Sequence, residues 1–517
     1  MHTPMARRGM VSTPHHLASQ SALAVLREGG NAIEAAVAAA ATLSVVLPQV
    51  GGLGGDGFWL IAEPGKPPVS IDGSGASGGK VDPGLYRDER VDAVPATGPL
   101  AAATVAGLVS SWNLALDVSA HWGGGMALDR LFEDAITYAK GGFAVTRAQA
   151  QATAARLAAL KKVPGFAAHF LVKGKQAPAA GHVQTAPALA GTLERLAAVG
   201  LDDFYRGDVA RMLAEDLKAA GSPLRSDDLA RHRGMRRRPL SLSLPAGTVF
   251  NAAPPTQGLA ALILLGVAQR LELPEADATR WAHLLAEATK QALRVREVHV
   301  TDPHRMSVHA TTYLSDPLLD RMATEVDRTR AADWLFPERS GEAAWIGVID
   351  GQGRAVSCVQ GLHQPFGSGV VLPATGILWH DRAAEFSLDP GHRNALEPRR
   401  KPLSALAPAL ARLKDGRTLV WGSSGGDAQP QLQAQLFARA ILGGSDLQAA
   451  VSAPRFTVAG TRLAVEGGLL ETEALAALGH RIDAVEAIGN AGALLRRTDG
   501  MIEGASDPRG DGSVAGW

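Results

Sequence analysis

Along His16–Glu28 the apolar residues Leu17, Ala18, Ala22, Val25 and Leu26 fall on one face at helical spacing, and Gly29-Gly30 supplies a left-handed stop. Asn31 then caps a second predicted helix, Ala32–Val46, so rich in alanine and branched aliphatics that protein must enclose it on nearly all sides. That helix ends at Pro48. A loop containing Gly51, Gly52, Gly54, Gly55 and Gly57 follows and leads into a predicted strand, Phe58–Ala62. Such a loop lets backbone approach backbone or ligand closely. A phosphate cradle would also need a lysine and a strand–loop–helix order, and both are missing.

From Ala101 to about Arg330 the pattern is mainly helical, as in Arg147–Leu160, Ala186–Ala198 and Asp208–Ala220, punctuated by Gly221, Pro223 and Pro254-Pro255. The polar stretch Arg328–Glu342 is expected at the surface. Beyond residue 343 the period shortens. Trp345–Asp350 and Arg354–Val359 read as a hairpin around Gly351-Gln352-Gly353. Further strands are predicted at Val370–Leu372, Gly376–Trp379 and Thr418–Gly422, and helices at Gln431–Leu442 and Glu471–Leu478. This mixture predicts a layered α/β protein with helices covering both faces of packed sheets.

Composition narrows the function classes. A chain of 517 residues is long enough for two lobes or one large layered domain. Lys+Arg 51 balances Asp+Glu 51, so the basic excess of a nucleic-acid-binding surface is missing and no nucleic-acid partner is expected. The single cysteine, Cys358, excludes an intrachain disulfide and suits a reducing compartment. No apolar run of signal-peptide length follows Met1–Arg8, and Ala35–Leu47 is too short to span a bilayer. A soluble cytoplasmic protein without membrane contact is the expectation.

Several stretches together resemble the gamma-glutamyltransferase-like N-terminal-nucleophile hydrolases. They are Gly9-Met10-Val11 with His15-His16-Leu17-Ala18, Leu26-Arg27-Glu28-Gly29-Gly30-Asn31-Ala32, and the glycine loop Gly51-Gly52-Leu53-Gly54-Gly55. Phe366-Gly367-Ser368-Gly369-Val370-Val371, Thr375-Gly376-Ile377-Leu378 and Arg400-Lys401-Pro402-Leu403-Ser404 follow. The series closes with Gly422-Ser423-Ser424-Gly425-Gly426, Ala453-Pro454-Arg455-Phe456 and Gly504-Ala505-Ser506-Asp507-Pro508-Arg509. The resemblance implies a four-layer αββα sandwich, made as a precursor that cuts itself into large and small subunits. Residues 1–342 would form the large, helix-rich region and 343–517 the small region carrying the nucleophile and oxyanion hole.

In such enzymes the new N-terminal residue supplies a hydroxyl or thiol together with the α-amine that accepts its proton. Counting back from Val348-Ile349-Asp350-Gly351, the family's nucleophile falls on Ala343, whose methyl group cannot attack a carbonyl. This form is therefore expected to stay uncleaved and inactive. An engineered Thr→Ala change, a natural loss of catalysis, or a shifted alignment with Ser340 or Cys358 as nucleophile would each account for it.

By resemblance, Gly425 and Gly426 offer the oxyanion N–H groups. The candidate substrate-binding positions are Ser74, His363, Arg382, Glu385 and Ser404. By the same resemblance, Ser74 stands where glutathione-acting relatives carry an arginine that holds the glutamyl carboxylate, and the asparagine and aspartate that hold its amine fall near His363 and Glu385. Arg382 could anchor a small carboxylate by its planar fork, or pair with Asp381 or Glu385. His15 and His16 are read as capping or packing residues rather than a base, His304 lacks ligand spacing, and no metal or cofactor is expected. The implied partners are a small amide substrate, oxamate favoured, and the two subunits of one precursor, with a homodimer left open. Two alternatives are a gamma-glutamyl transferase or glutathione hydrolase, and a non-catalytic relative that binds a small carboxylate.

Overall fold

The computed structural model describes residues 2–274, 277–339, 341–468 and 472–517. Two seven-stranded sheets form its centre. The first runs Ser513–Gly516, Gly9–Thr13, Glu342–Asp350, Ala355–His363, Asp56–Ala62, Val69–Gly73 and Met235–Arg237. The second runs Met5–Ala6, Ile502–Ser506, Ala491–Arg496, Thr418–Ser423, Ala409–Leu413, Gly247–Asn251 and Leu240–Leu244. Both are antiparallel throughout their described pairings.

The period of two along Glu342–Asp350 shows how the layers arise. Ala344, Ile346 and Val348 point to one side, where they join the helices His16–Arg27, Ala32–Val46, Leu108–His121, Leu128–Gly141 and Pro187–Val199. Ala343, Trp345 and Ile349 point to the other, where they meet Phe58, Val359, Leu410, Val420 and Leu494 between the sheets. On its outer face the second sheet packs Leu242, Val249, Ala411, Leu419 and Trp421 against helices Gly258–Leu271, Ala278–His299 and Ala428–Phe437. Helix, sheet, sheet and helix follow one another, which is the αββα sandwich expected from the sequence.

Local signals were followed closely. Asn31 forms a capping box, its side chain accepting from Ile33 and Glu34 N–H while Glu34 accepts from the Asn31 N–H. Every residue of Ala32–Val46 is buried. The predicted helix Gln431–Leu442 is realised as Ala428–Phe437 with a wider turn at Ala438–Leu442. Glu471, the expected start of the last helix, lies outside the described residues, and that helix is described as Thr472–Ala477.

One correction concerns the region read as mainly helical. Leu240–Leu244 and Gly247–Asn251 form a hairpin at the edge of the second sheet, and Met235–Arg237 an edge of the first. Leu240, Leu242 and Leu244 alternate buried with exposed Ser241 and Ser243, the half-buried pattern of an edge strand. The helix-rich surroundings masked this short period.

Candidate active site

The junction between Glu342 and Ala343 opens a central strand of the first sheet, with a register irregularity between Glu342 and Ala344 opposite His363 and Gln360. Ala343 is 3% exposed and faces the space between the sheets. Its neighbour across the ladder, Gly361, has no side chain to fill that space. A Cβ there would stand 2.8 Å from Glu342 O and 3.3 Å from Ala343 Cα. Gly361→Ala is therefore expected to push on the junction and cost about 1–3 kcal/mol, read as a lower urea midpoint.

The Gly425-Gly426 turn closes over this junction from the second sheet. It ends strand Thr418–Ser423 and precedes helix Ala428–Phe437. Gly425 and Gly426 adopt φ of +102° and +50°, conformations that favour glycine. A Cβ on Gly341 would lie 3.5 Å from Gly426 Cα, so the chain just ahead of Ala343 touches the turn. Lower in the interface the Trp345 indole lies over Gly422 and Gly492 and donates to Ser357 Oγ at 2.9 Å. A Cβ on either glycine would collide with that ring.

On the far side of Gly361 lies Asp56, its ladder partner on the next strand. The alternation that turns Phe58 and Val359 between the sheets turns Asp56 and Gly361 the same way. Ala343, bare Gly361 and Asp56 thus form one row, and strand spacing puts Asp56 about 10 Å from Ala343. Asp56 Oδ1 accepts the N–H groups of Gly75 and Gly107, while its Oδ2 lies 3.9 Å from Arg382 Nε and 3.7 Å from His380 Nδ1.

Arg382 is 1% exposed, and among the described residues Nε, Nη1 and Nη2 have no hydrogen-bond partner. Of the two readings of Arg382, the pairing with Asp381 or Glu385 is not among the described hydrogen bonds, and the side chain is buried rather than at the surface. Instead His363 bridges those two carboxylates, Nδ1 to Asp381 at 3.2 Å and Nε2 to Glu385 at 2.9 Å. With both ring nitrogens donating, His363 is an imidazolium. Burial opposes that charge, yet the two carboxylates hold the pKa at about 9. Glu385 is held well below the ordinary carboxylate range, because His363 and Arg339 outweigh the cost of its burial. His363 also sits at φ +82°, a backbone conformation rare outside glycine.

Because the His363 proton is bound more tightly in the folded chain than in a free imidazole, this ion pair stabilises fully below about pH 6.5, and the stabilisation fades as pH rises through 9. Thermal melts across that window are expected to show a falling Tm, and His363→Asn to flatten the fall.

The remaining candidates divide. Ser74 is buried with its hydroxyl on Asp72 Oδ1 at 2.6 Å, and Asp72 is held by Lys401 at 2.9 Å, so Ser74 belongs to a neighbouring ion pair. Ser404 reaches the turn indirectly: its carbonyl accepts the Gln257 N–H, and Gln257 Nε2 donates to Gly426 O at 2.7 Å. His15 caps the first helix by accepting the Leu17 N–H, and His304 is exposed. Cys358 is a fully buried strand residue whose thiol pKa burial raises well above the ordinary value. Ser340 lies outside the described residues. The glycine loop serves backbone packing, since Gly54 O accepts the His380 N–H and Gly55 O the Leu108 N–H.

Sequence reading passed over Arg339. Its polar stretch was expected at the surface and Leu335 is indeed exposed, but Trp334 is buried and Arg339 turns inward. Its guanidinium grips Glu297 through Nε and Nη2 at 3.0 Å each and meets Glu385 through Nη1. Asp56, Gln257, Arg296 and Asp427 were missed as well. Spacing could not reveal them, because their partners are far away in sequence.

The family profile described as gamma-glutamyltranspeptidase matches residues 18–517. The chain is 47% identical over 526 residues to an oxamate amidohydrolase proenzyme of Klebsiella pneumoniae subsp. pneumoniae, covering 99% of each. It is 29% identical to a glutathione hydrolase proenzyme of Escherichia coli, covering all of this chain and 93% of that one. A crystal structure of cephalosporin acylase from Bacillus halodurans superposes with a TM-score of 0.92 at 31% identity, over 100% of this chain and 97% of that one. Among the described residues no helix is long and apolar enough to cross a membrane. The protein belongs to the gamma-glutamyltranspeptidase family, the amide-hydrolysing N-terminal-nucleophile enzymes made as proenzymes.

Proposed function

We propose that this chain is the uncleaved form of an amidohydrolase acting on a small amide that carries a carboxylate, oxamate being the favoured substrate. The observation that carries the reading is Arg382. A buried guanidinium without hydrogen bonds costs several kcal/mol, so an arrangement that leaves all three nitrogens unused is suited to a ligand that supplies acceptors. A carboxylate fits that fork bidentately. The distance of about 10 Å between Ala343 and Asp56, beside which Arg382 lies, suits a substrate of a few heavy atoms. Glu385 already serves His363 and Arg339, leaving little capacity for the ammonium group of a gamma-glutamyl substrate.

In this reading residues 1–342 and 343–517 become the large and small subunits. Residue 343, as threonine, attacks the amide carbon with its own α-amine as base. The N–H groups of Gly425 and Gly426 receive the developing oxyanion. Ammonia leaves, and water releases the acyl group. The 47% identity to the Klebsiella oxamate amidohydrolase supports the choice of substrate.

The test is an Ala343→Thr variant assayed for ammonia release from oxamate and for anilide release from a gamma-glutamyl anilide. Turnover of oxamate alone is the expected result, and turnover of the anilide alone would overturn the substrate assignment. A second reading, a non-catalytic protein that binds small carboxylates, is favoured by Ala343 itself. It predicts oxamate binding to the unaltered chain and no gain of turnover in the threonine variant.

A further inference from the structure

Asp427 directly follows the glycine pair, is buried, and takes no part in the reaction as described above. Its carboxylate receives both arms of Arg296, Nη1 on Oδ1 and Nη2 on Oδ2 at 3.1 Å, in the paired geometry that makes arginine–carboxylate contacts strong and directional. Oδ2 also accepts the Arg339 N–H at 3.0 Å, and the Asp427 N–H donates back to Arg339 O at 3.0 Å. The peptide unit around Arg339, four positions before Ala343, is thereby docked as donor and as acceptor on the residue after the turn.

Arg296 extends the same lock to the turn itself. Its Nη1 reaches Gln257 Oε1 at 2.8 Å, and Gln257 Nε2 donates to Gly426 O at 2.7 Å and to Ala405 O at 2.9 Å. The Gly426–Asp427 peptide is thus gripped at its carbonyl by Gln257 and at the following side chain by Arg296. Arg296 and Glu297 lie in the last turn of helix Ala278–His299, a 22-residue element of the outer layer, which makes it a firm anchor. Glycines at positive φ have the widest conformational freedom in the chain, and without such restraints this turn would sample other orientations.

We infer that Asp427 is a positioning residue that locks the Gly425-Gly426 turn and the segment entering the Glu342–Ala343 junction into one unit. What the turn does chemically rests on the function proposed above; the lock itself does not. Self-cleavage at the junction and hydrolysis of a substrate both need the turn N–H groups at a fixed place relative to residue 343. Misplacement by about 1 Å costs on the order of a hundredfold in rate.

The lock can be measured in the full-length chain with Ala343 kept, by hydrogen exchange. Asp427→Asn is expected to speed exchange about tenfold or more in peptides covering Arg339 and in peptides covering Gly425–Asp427 together, with helix Leu128–Gly141 unchanged as a control for folding. Asp427→Glu, which keeps the charge, is expected to recover part of the protection. Exchange that rises in neither segment, or in only one, overturns the inference. In an Ala343→Thr background, Asp427→Asn is expected to slow self-cleavage and lower kcat by about thirtyfold to a hundredfold with KM within twofold. A changed KM at normal kcat would also overturn it. Should the threonine variant fail to cut itself, the proposed function falls, and the exchange result still decides the lock.

Discussion

Ala343→Thr is expected to turn a single 517-residue chain into two, residues 1–342 and 343–517, with threonine at the new N-terminus by mass spectrometry. On the proposed function the effect is all-or-none, because the element it restores is a hydroxyl rather than a contact. A threonine can be accommodated, since Gly361 leaves the space beside Ala343 without a side chain. Ala343→Val is the control for shape: it has the outline of threonine without the oxygen, and it should remain one band. In the cleaved form, activity is expected to rise with pH through about 7.7–8.0 as the freed α-amine loses its proton. A threonine variant that folds but stays intact would place the reactive residue elsewhere.

Arg382→Met carries the second large effect. In the threonine background it is expected to lower kcat/KM for a carboxylated amide by about 10²–10³, the loss of a bidentate charged contact made in a water-poor site. In the unaltered chain it is expected to abolish oxamate binding in a calorimeter. Arg382→Lys, which keeps the charge and loses the fork, should fall between the two. Stability provides an independent reading. Removing a buried arginine fully satisfied by protein groups would cost several kcal/mol, whereas Arg382 has no hydrogen bonds to lose among the described residues and only the 3.9 Å approach to buried Asp56, so its removal should lower the melting temperature by much less. Methionine at 382 with full activity would remove the carboxylate anchor from the proposed reaction.

The same contrast between local and distant partners explains what could be foreseen. Asn31 announced a helix start because a cap bonds backbone groups only two or three residues on, and the alanine-rich run after it could only be an enclosed helix. The hairpin Glu342–Asp350 with Ala355–His363 was legible from its turn, although both strands run farther than expected. Leu240–Leu244 was missed because an edge strand of five residues leaves a short signal among long helical ones. Arg339 was assigned to the surface because an arginine in a polar stretch is normally solvated, and only Glu297 and Glu385, 42 and 46 residues away, draw it inward.

The chain's local periodicities were sufficient to anticipate the layered architecture, and its ordered motifs, by resemblance, the family and the expectation that the nucleophile position falls on Ala343. Hydrophobic period, capping and turn chemistry act over a few residues and are therefore written in the order of the chain. The row of Ala343, Gly361 and Asp56, the unused fork of Arg382, the His363 imidazolium and the Asp427 lock were decided only by tertiary structure. Each depends on desolvation and on partners from separate strands and helices, and burial and long-range pairing exist only once the two sheets have closed on one another.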